Sequence, residues 1–290
     1  MSEKFLNEDD KALHDAIHDS MLKEDPSKLL DKGRIDVLKL VENAIGVPYG
    51  DVADVGCGNG YFGIYVAKNY NKVDHVDAIE ASEIAVDKVI PRNVAYYNVK
   101  HKVKSVLGSF DELPPQKYDF VFAMGALHHS TNLVKTLRSI SASLNEGGYL
   151  VAQEPVMPDE TTHQQYDFKY NIVEERFGLK IRNGDRFDRF FRECEYKSAL
   201  VKAGFDMIMW DDFPKKSNNY GLGVLRTLFL SLKSDGVKPT LNKILNKLFR
   251  MEVSESEPIW QINMNKATVN VMPKVFIAQK SNCSTFYHND

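Results

Sequence analysis

Gly56, Gly58 and Gly60 stand at alternate positions between the run Asp51–Val55 and the segment Tyr61–Tyr70. This pattern predicts a short buried strand, a glycine-rich turn and a helix. With no Cβ at these positions, the backbone can pass close against a bound ligand. The turn also aims the free amides of the helix N-terminus at that ligand. Twenty residues beyond Gly60, His75-Val-Asp-Ala-Ile-Glu80 reads as a second strand ending in a carboxylate. An acid at that tip is placed to accept both hydroxyls of a ribose. Together these residues point to recognition of an adenosine-containing cofactor.

Gly58-Asn-Gly-Tyr-Phe-Gly63 also fits the G-x-G-x-x-G pattern of dinucleotide sites. Asp54, just ahead of the first glycine, weighs against that reading. A carboxylate there would repel a pyrophosphate but suits the cationic amino acid end of S-adenosylmethionine. Six segments then resemble, in order, the class I S-adenosylmethionine-dependent methyltransferases, in particular their small-molecule branch. Asp54-Val-Gly-Cys-Gly-Asn-Gly60 looks like the first motif and Glu80 like the ribose acid. Gly108-Ser-Phe-Asp-Glu-Leu-Pro114 resembles the adenine-binding segment, and Tyr118 to His129 the fourth strand with its loop. Asn145-Glu-Gly-Gly-Tyr-Leu150 resembles the turn into the fifth strand, and Ala203-Gly-Phe205 the turn into the sixth.

The resemblance implies an α/β fold: a doubly wound, seven-stranded, mostly parallel sheet with a helical N-terminal cap and later insertions. It implies S-adenosyl-L-methionine as cofactor, held by Asp54, Gly56, Cys57, Gly58, Gly60, Glu80, Ala81, Ser109, Phe110, Met124 and Gly125. One position departs from the family pattern. Ser109 stands where an Asp usually accepts a hydrogen bond from the adenine amino group. A hydroxyl can accept that bond without the charge, and Asp111, two residues on, is the other candidate.

Methyl transfer to a hydroxyl requires the acceptor to lose a proton near the transition state. His128 and His129 fall just past the fourth strand, at the carboxyl edge where ligands of such sheets bind. They are the candidate catalytic pair, and the alternative is a helix-capping or packing role. Glu154 ends the fifth strand on the same edge, placed either to orient a substrate hydroxyl or amine or to be a hydrogen-bonded strand terminus. His163, Tyr166 and Tyr170 are spaced to share one helical face, as a lid over substrate or as a surface helix with buried aromatics.

The elements that must position these residues follow from periodicity. Residues 9–45 read as two helices, the second with Ile35, Leu38, Val41 and Ile45 on one stripe. They either cover the cofactor pocket or pad the sheet. From 48 to 155 strands and helices alternate at βαβ spacing. Pro91 closes a helix begun near Ser82, and Asn132–Leu144 is amphipathic. Pro258–Met264, Thr268–Met272 and Val275–Ala278 read as strands, the final one the antiparallel edge. The organisation is a cap at 1–47, a cofactor-binding core at 48–155, a substrate-covering insertion at 156–193, and the rest of the core at 194–290. An insertion at 211–257 interrupts that last part.

Composition fits an ordinary globular enzyme. The 290 residues are 43% hydrophobic and 27% charged, with net charge −3, which gives no general affinity for nucleic acid. Ala123-Met-Gly-Ala126 replaces the Asn/Asp-Pro-Pro-aromatic motif of enzymes that methylate base amino groups. Cys57, Cys194 and Cys283 form neither a disulfide framework nor a metal-ligand spacing, which suggests a reducing cytoplasm and no metal. The acidic N-terminus does not read as a signal peptide. No apolar run approaches the ~20 residues that span a bilayer. Residues 240–251 form an amphipathic basic helix, for weak membrane-surface contact or for packing on its own domain or in a homodimer.

The expected activity is methyl transfer to a small polar acceptor, with oxygen ahead of nitrogen: a sugar, glycan precursor or secondary metabolite. A nicotinamide oxidoreductase and a non-catalytic S-adenosylmethionine-binding module are the alternatives.

Overall fold

Residues 18–31, 35–115, 117–161, 190–213, 260–264 and 267–281 are described by the computed structural model. The apolar runs of the first half pair as parallel strands: β1 (Gly50–Val55), β2 (Val73–Glu80), β3 (Val103–Leu107), β4 (Tyr118–Met124) and β5 (Leu144–Val156). With β6 (Phe205–Asp212) and β8 (Ala267–Lys280) the order across the sheet is β3-β2-β1-β4-β5-β8-β6. The chain winds outward from β1 in both directions, so the β1–β4 border is the switch point where ligands of open α/β sheets bind. β7 (Trp260–Met264) pairs with the first residues of β8.

The last strand differs from the sequence expectation. It is antiparallel as expected, but it is not an edge. β8 runs between β5 and β6, pairing Ala152 with Phe276 on one side and Trp210 with Phe276 on the other. Val275, Phe276, Ile277 and Ala278 are all fully buried. Four consecutive buried residues need neighbours on both faces and both edges, which only an interior strand supplies. β6 is the edge instead, and its Met207 and Ile208 are exposed.

Helices cover both faces because side chains alternate along every strand. On one face α1 (Ile35–Ile45), α2 (Tyr61–Asn69) and α3 (Ile90–Tyr96) pack against Val52, Phe120, Phe122 and Val151. On the other, α4 (Leu133–Ser143) and α5 (Glu193–Lys202) pack against Val55, Val121, Ala152 and Phe276. Asn132 caps α4, its side chain accepting from the Lys135 amide. Pro91 does not end a helix. A π-helical turn at Ala85–Val89 runs without a break into α3, and Pro91 lies just past that turn, within continuous helical backbone.

Two ties bear on the site. Arg92 donates to the carbonyls of Leu22 (2.5 Å) and Met21 (3.1 Å), and Tyr97 Oη donates to that of Pro26 (2.7 Å). These bonds hold the N-terminal segment on α3, while Val37, Leu38 and Val41 of α1 bury their stripe on the sheet. The base of the first insertion is also closed. The Met157 amide donates to Phe191 (3.0 Å) and the Glu193 amide to Met157 (3.1 Å). Residues 162–189 and 214–259, with the expected lid and the basic helix at 240–251, lie outside the described residues.

The interior position of β8 predicts a contrast. Ile277→Ala should cost about 2–5 kcal/mol of stability in urea unfolding. Ile208→Ala on the edge strand should cost no more than about 0.5 kcal/mol. Equal losses would place β8 wrongly.

Candidate active site

The turn between β1 and α2 is left-handed at three residues, with φ of +61° at Gly56, +58° at Gly58 and +75° at Gly60. The Cys57 amide donates to Ile79 (3.2 Å), which fastens the turn to the end of β2. The three glycines do not share one task. A Cβ on Gly56 would lie 2.7 Å from the Ala126 Cβ, so this glycine lets the loop after β4 close down. A Cβ on Gly58 would meet no protein atom within 4 Å. There the backbone offers an open approach, which is where a ligand can come against it.

Glu80 closes β2, and both its oxygens are engaged: Oε2 accepts from the Gly58 amide (2.8 Å) and Oε1 from the Ala81 amide (2.9 Å). A carboxylate has about four acceptor positions, so each oxygen keeps one for a ribose hydroxyl. The site therefore fits an adenosine cofactor by two independent features, the open cradle at Gly58 and the residual valence of Glu80.

Asp54 lies beneath the turn. It is buried, and its Oδ2 accepts from the Gly63 amide at 2.8 Å in the first turn of α2. Strand alternation puts residue 54 on the face of Val52, towards α2. A Cβ on Gly63 would stand 3.0 Å from Val76 Cγ1 and 3.2 Å from Asp54 Oδ2, so that glycine lets α2 settle on the sheet. Asp54 thus supplies negative charge from beneath the turn. Cys57 gains no nucleophilic character: burial, then Asp54 and Glu80, pushes its thiol well above the ordinary range.

At the adenine segment, the Gly108 amide donates to the Glu80 carbonyl (3.1 Å), which brings Ser109 beside the tip of β2. Ser109 Oγ accepts from the Asp111 amide (3.1 Å). Asp111 itself accepts from Thr136 Oγ1, which bonds Ser130 Oγ (2.7 Å). One oxygen of its carboxylate is thus tied to α4. Phe110 packs against the apolar layer between the sheet and α4 and α5. Met124 is buried at the end of β4. Gly125 follows at φ +75°, its amide donating to Gln153 (2.8 Å).

Beyond Gly125 a 3-10 turn, Leu127–His129, carries the two histidines, with ring centroids 4.0 Å apart. Glu154 is 0% exposed at the end of β5. Its Oε1 accepts from the amides of Ala126 and Leu127, each at 2.8 Å. Its Oε2 takes the His128 amide (3.3 Å) and lies 2.8 Å from His128 Nδ1. Of its two sequence readings, substrate contact and hydrogen-bonded terminus, the structure has the second. Of the substrate-side residues, His163, Tyr166 and Tyr170 lie outside the described residues.

Two residues escaped the sequence reading. Asn93 donates to the Asn59 carbonyl (2.9 Å), joining α3 to the glycine turn. Gln153 Oε1 is buried with no hydrogen-bond partner among the described residues, in register with Met124 at the end of β4. The one available signal for Gln153 was strand alternation, which sets it on the opposite face from Glu154.

The unequal glycines predict unequal variants. Gly58→Ala should cost about 1 kcal/mol of stability, the usual penalty of a left-handed alanine, and weaken S-adenosylmethionine binding at least about tenfold. Gly56→Ala adds a clash and should cost on the order of 3 kcal/mol. Thermal unfolding and calorimetric titration separate the two.

Residues 50–221, more than half of the chain, match the family model described as a methyltransferase domain. Over 99 residues the chain is 31% identical to a tRNA U34 carboxymethyltransferase of Campylobacter fetus, covering 33% of each protein. It is 28% identical over 124 residues to the sterol 24-C-methyltransferase erg6 of Schizosaccharomyces pombe, covering 42% of this chain and 31% of that one. The chain thus spans about a third of the length of these curated relatives. In fold it is similar to the geranyl diphosphate C-methyltransferase of Streptomyces coelicolor A3(2), with a TM-score of 0.57 and 11% identity, covering 90% of this chain and 87% of that one. The chain belongs to the methyltransferase domain family, and it is built as a class I S-adenosylmethionine-dependent methyltransferase.

Proposed function

We propose that the protein transfers the methyl group of S-adenosylmethionine to an oxygen of a small polar acceptor. The observation that carries this reading is the shared carboxyl edge of the sheet. The Gly58–Glu80 cradle and the His128–His129 turn both stand there, on adjoining strand ends. When bound, the cofactor supplies a sulfonium whose methyl carbon is open to in-line displacement. The protein's part is position, exclusion of water and the acceptor's proton. Glu80 and the Gly58 backbone hold the ribose, Ser109 and Phe110 face the adenine, and Met124 and Gly125 flank the methionine portion. His128 or His129 takes the proton as the acceptor oxygen becomes a nucleophile. A polar acceptor is favoured by Gln153, whose buried Oε1 suits a donor on the substrate.

The names of the relatives span a tRNA, a sterol and a prenyl diphosphate, so the acceptor is argued from this chain's own residues. A nucleic acid acceptor is the second reading, favoured by the tRNA enzyme among the relatives. The net charge of −3 weighs against it.

Calorimetric titration with S-adenosylmethionine, its demethylated product and NAD tests the cofactor. Micromolar binding of the first two, and none of NAD, is expected. Glu80→Ala should weaken that binding by about 1–3 kcal/mol, and an unchanged dissociation constant would sink the ribose assignment. Transfer of labelled methyl to a panel of sugars and phenols, run beside total tRNA, tests the acceptor class. With an active acceptor in hand, alanine at the base among His128 and His129 should lower turnover by roughly 10²–10⁴ and leave cofactor affinity intact.

A further inference from the structure

Glu154 carries a charge-bearing group into the interior, and among the described residues its one ion-pair partner is His128. Three backbone N–H groups of the loop converge on its two oxygens, and the His128 ring nitrogen Nδ1 lies 2.8 Å from Oε2. A carboxylate that receives three N–H donors acts as an acceptor, and it has no proton to offer the ring. The proton of the Nδ1–Oε2 bond at 2.8 Å therefore resides on His128 Nδ1. A neutral imidazole with hydrogen on Nδ1 has its lone pair on Nε2.

We propose that Glu154 is a positioning residue that selects the Nδ1–H tautomer of His128 and so presents Nε2 as the basic nitrogen. This rests on His128 being the base of the proposed reaction, and it assigns the role between the two histidines. Oε2 holds both the His128 backbone amide and its ring, so main chain and side chain are set from one atom. His129, whose amide bonds Ala126 at 3.1 Å, has its ring against that of His128. Phe190 lies against the His128 ring with centroids 5.7 Å apart. Tyr196, the titratable group that faces Glu154 from α5, is fully buried, and its phenol is pushed up by that burial first and by Glu154 second. It stays neutral and does not compete for the ring proton.

The test needs no substrate. In protein labelled with ¹⁵N-histidine, the two ring nitrogens of His128 are read at about pH 8, where an ordinary imidazole is neutral. His128→Gln identifies the resonances. Hydrogen on Nδ1 is expected, and hydrogen on Nε2 overturns the proposal. In Glu154→Gln the amide can still accept from Ala126 and Leu127, but its NH₂ now faces Nδ1. The ring should flip to the Nε2–H tautomer, and an unflipped ring also overturns the assignment. If that variant does not fold, the wild-type spectrum decides alone. Loss of S-adenosylmethionine binding by the wild type would instead remove the proposed function while leaving the tautomer as measured.

Discussion

Loops at the carboxyl edge of a parallel sheet leave backbone amides without strand partners, and each buried amide needs an acceptor. Here three acids at strand ends meet that need. Asp54 takes the Gly63 amide, Glu80 those of Gly58 and Ala81, and Glu154 those of Ala126, Leu127 and His128. Charged acceptors make stronger and shorter bonds than neutral ones, so the loops are set by the strands beneath them. The geometry of the site depends on these carboxylates before any ligand contributes.

Their duties differ with depth. Asp54 seats α2 through one oxygen, and Glu154 sets the histidine turn through both. Glu80 keeps acceptor capacity on both oxygens. Gly56 joins two of these systems, because its bare Cα is what lets Ala126, and with it the Glu154-held loop, approach the glycine turn.

The antiparallel end of the sheet supports this edge from the side. β8 packs against β5 along its length, so the strand that ends in Glu154 is interior rather than peripheral. The stacked rings of Trp210 and Phe276, with Tyr196 beside them, brace the face beneath α5. The bridge between Met157 and Arg192 brings the first insertion back to the point where it left.

Much of this was legible in the chain. The glycine turn, the strand ending in Glu80, the helix from Asn132 and the order of the βαβ units are local patterns, and local backbone preferences produced them. The paired histidines were legible as candidates because they follow a buried strand directly. The direction of Glu154, the burial of Asp54 and the separate tasks of Gly56 and Gly58 were not. Each depends on which atoms of a distant segment arrive beside the residue. Pro91 was misjudged because the helix does not stop there: a π-helical turn at Ala85–Val89 carries helical backbone on past the proline. The interior place of β8 followed from the same limit. An apolar run reports that a strand will be buried, but only the pairing of strands far apart in sequence decides what lies on each side of it.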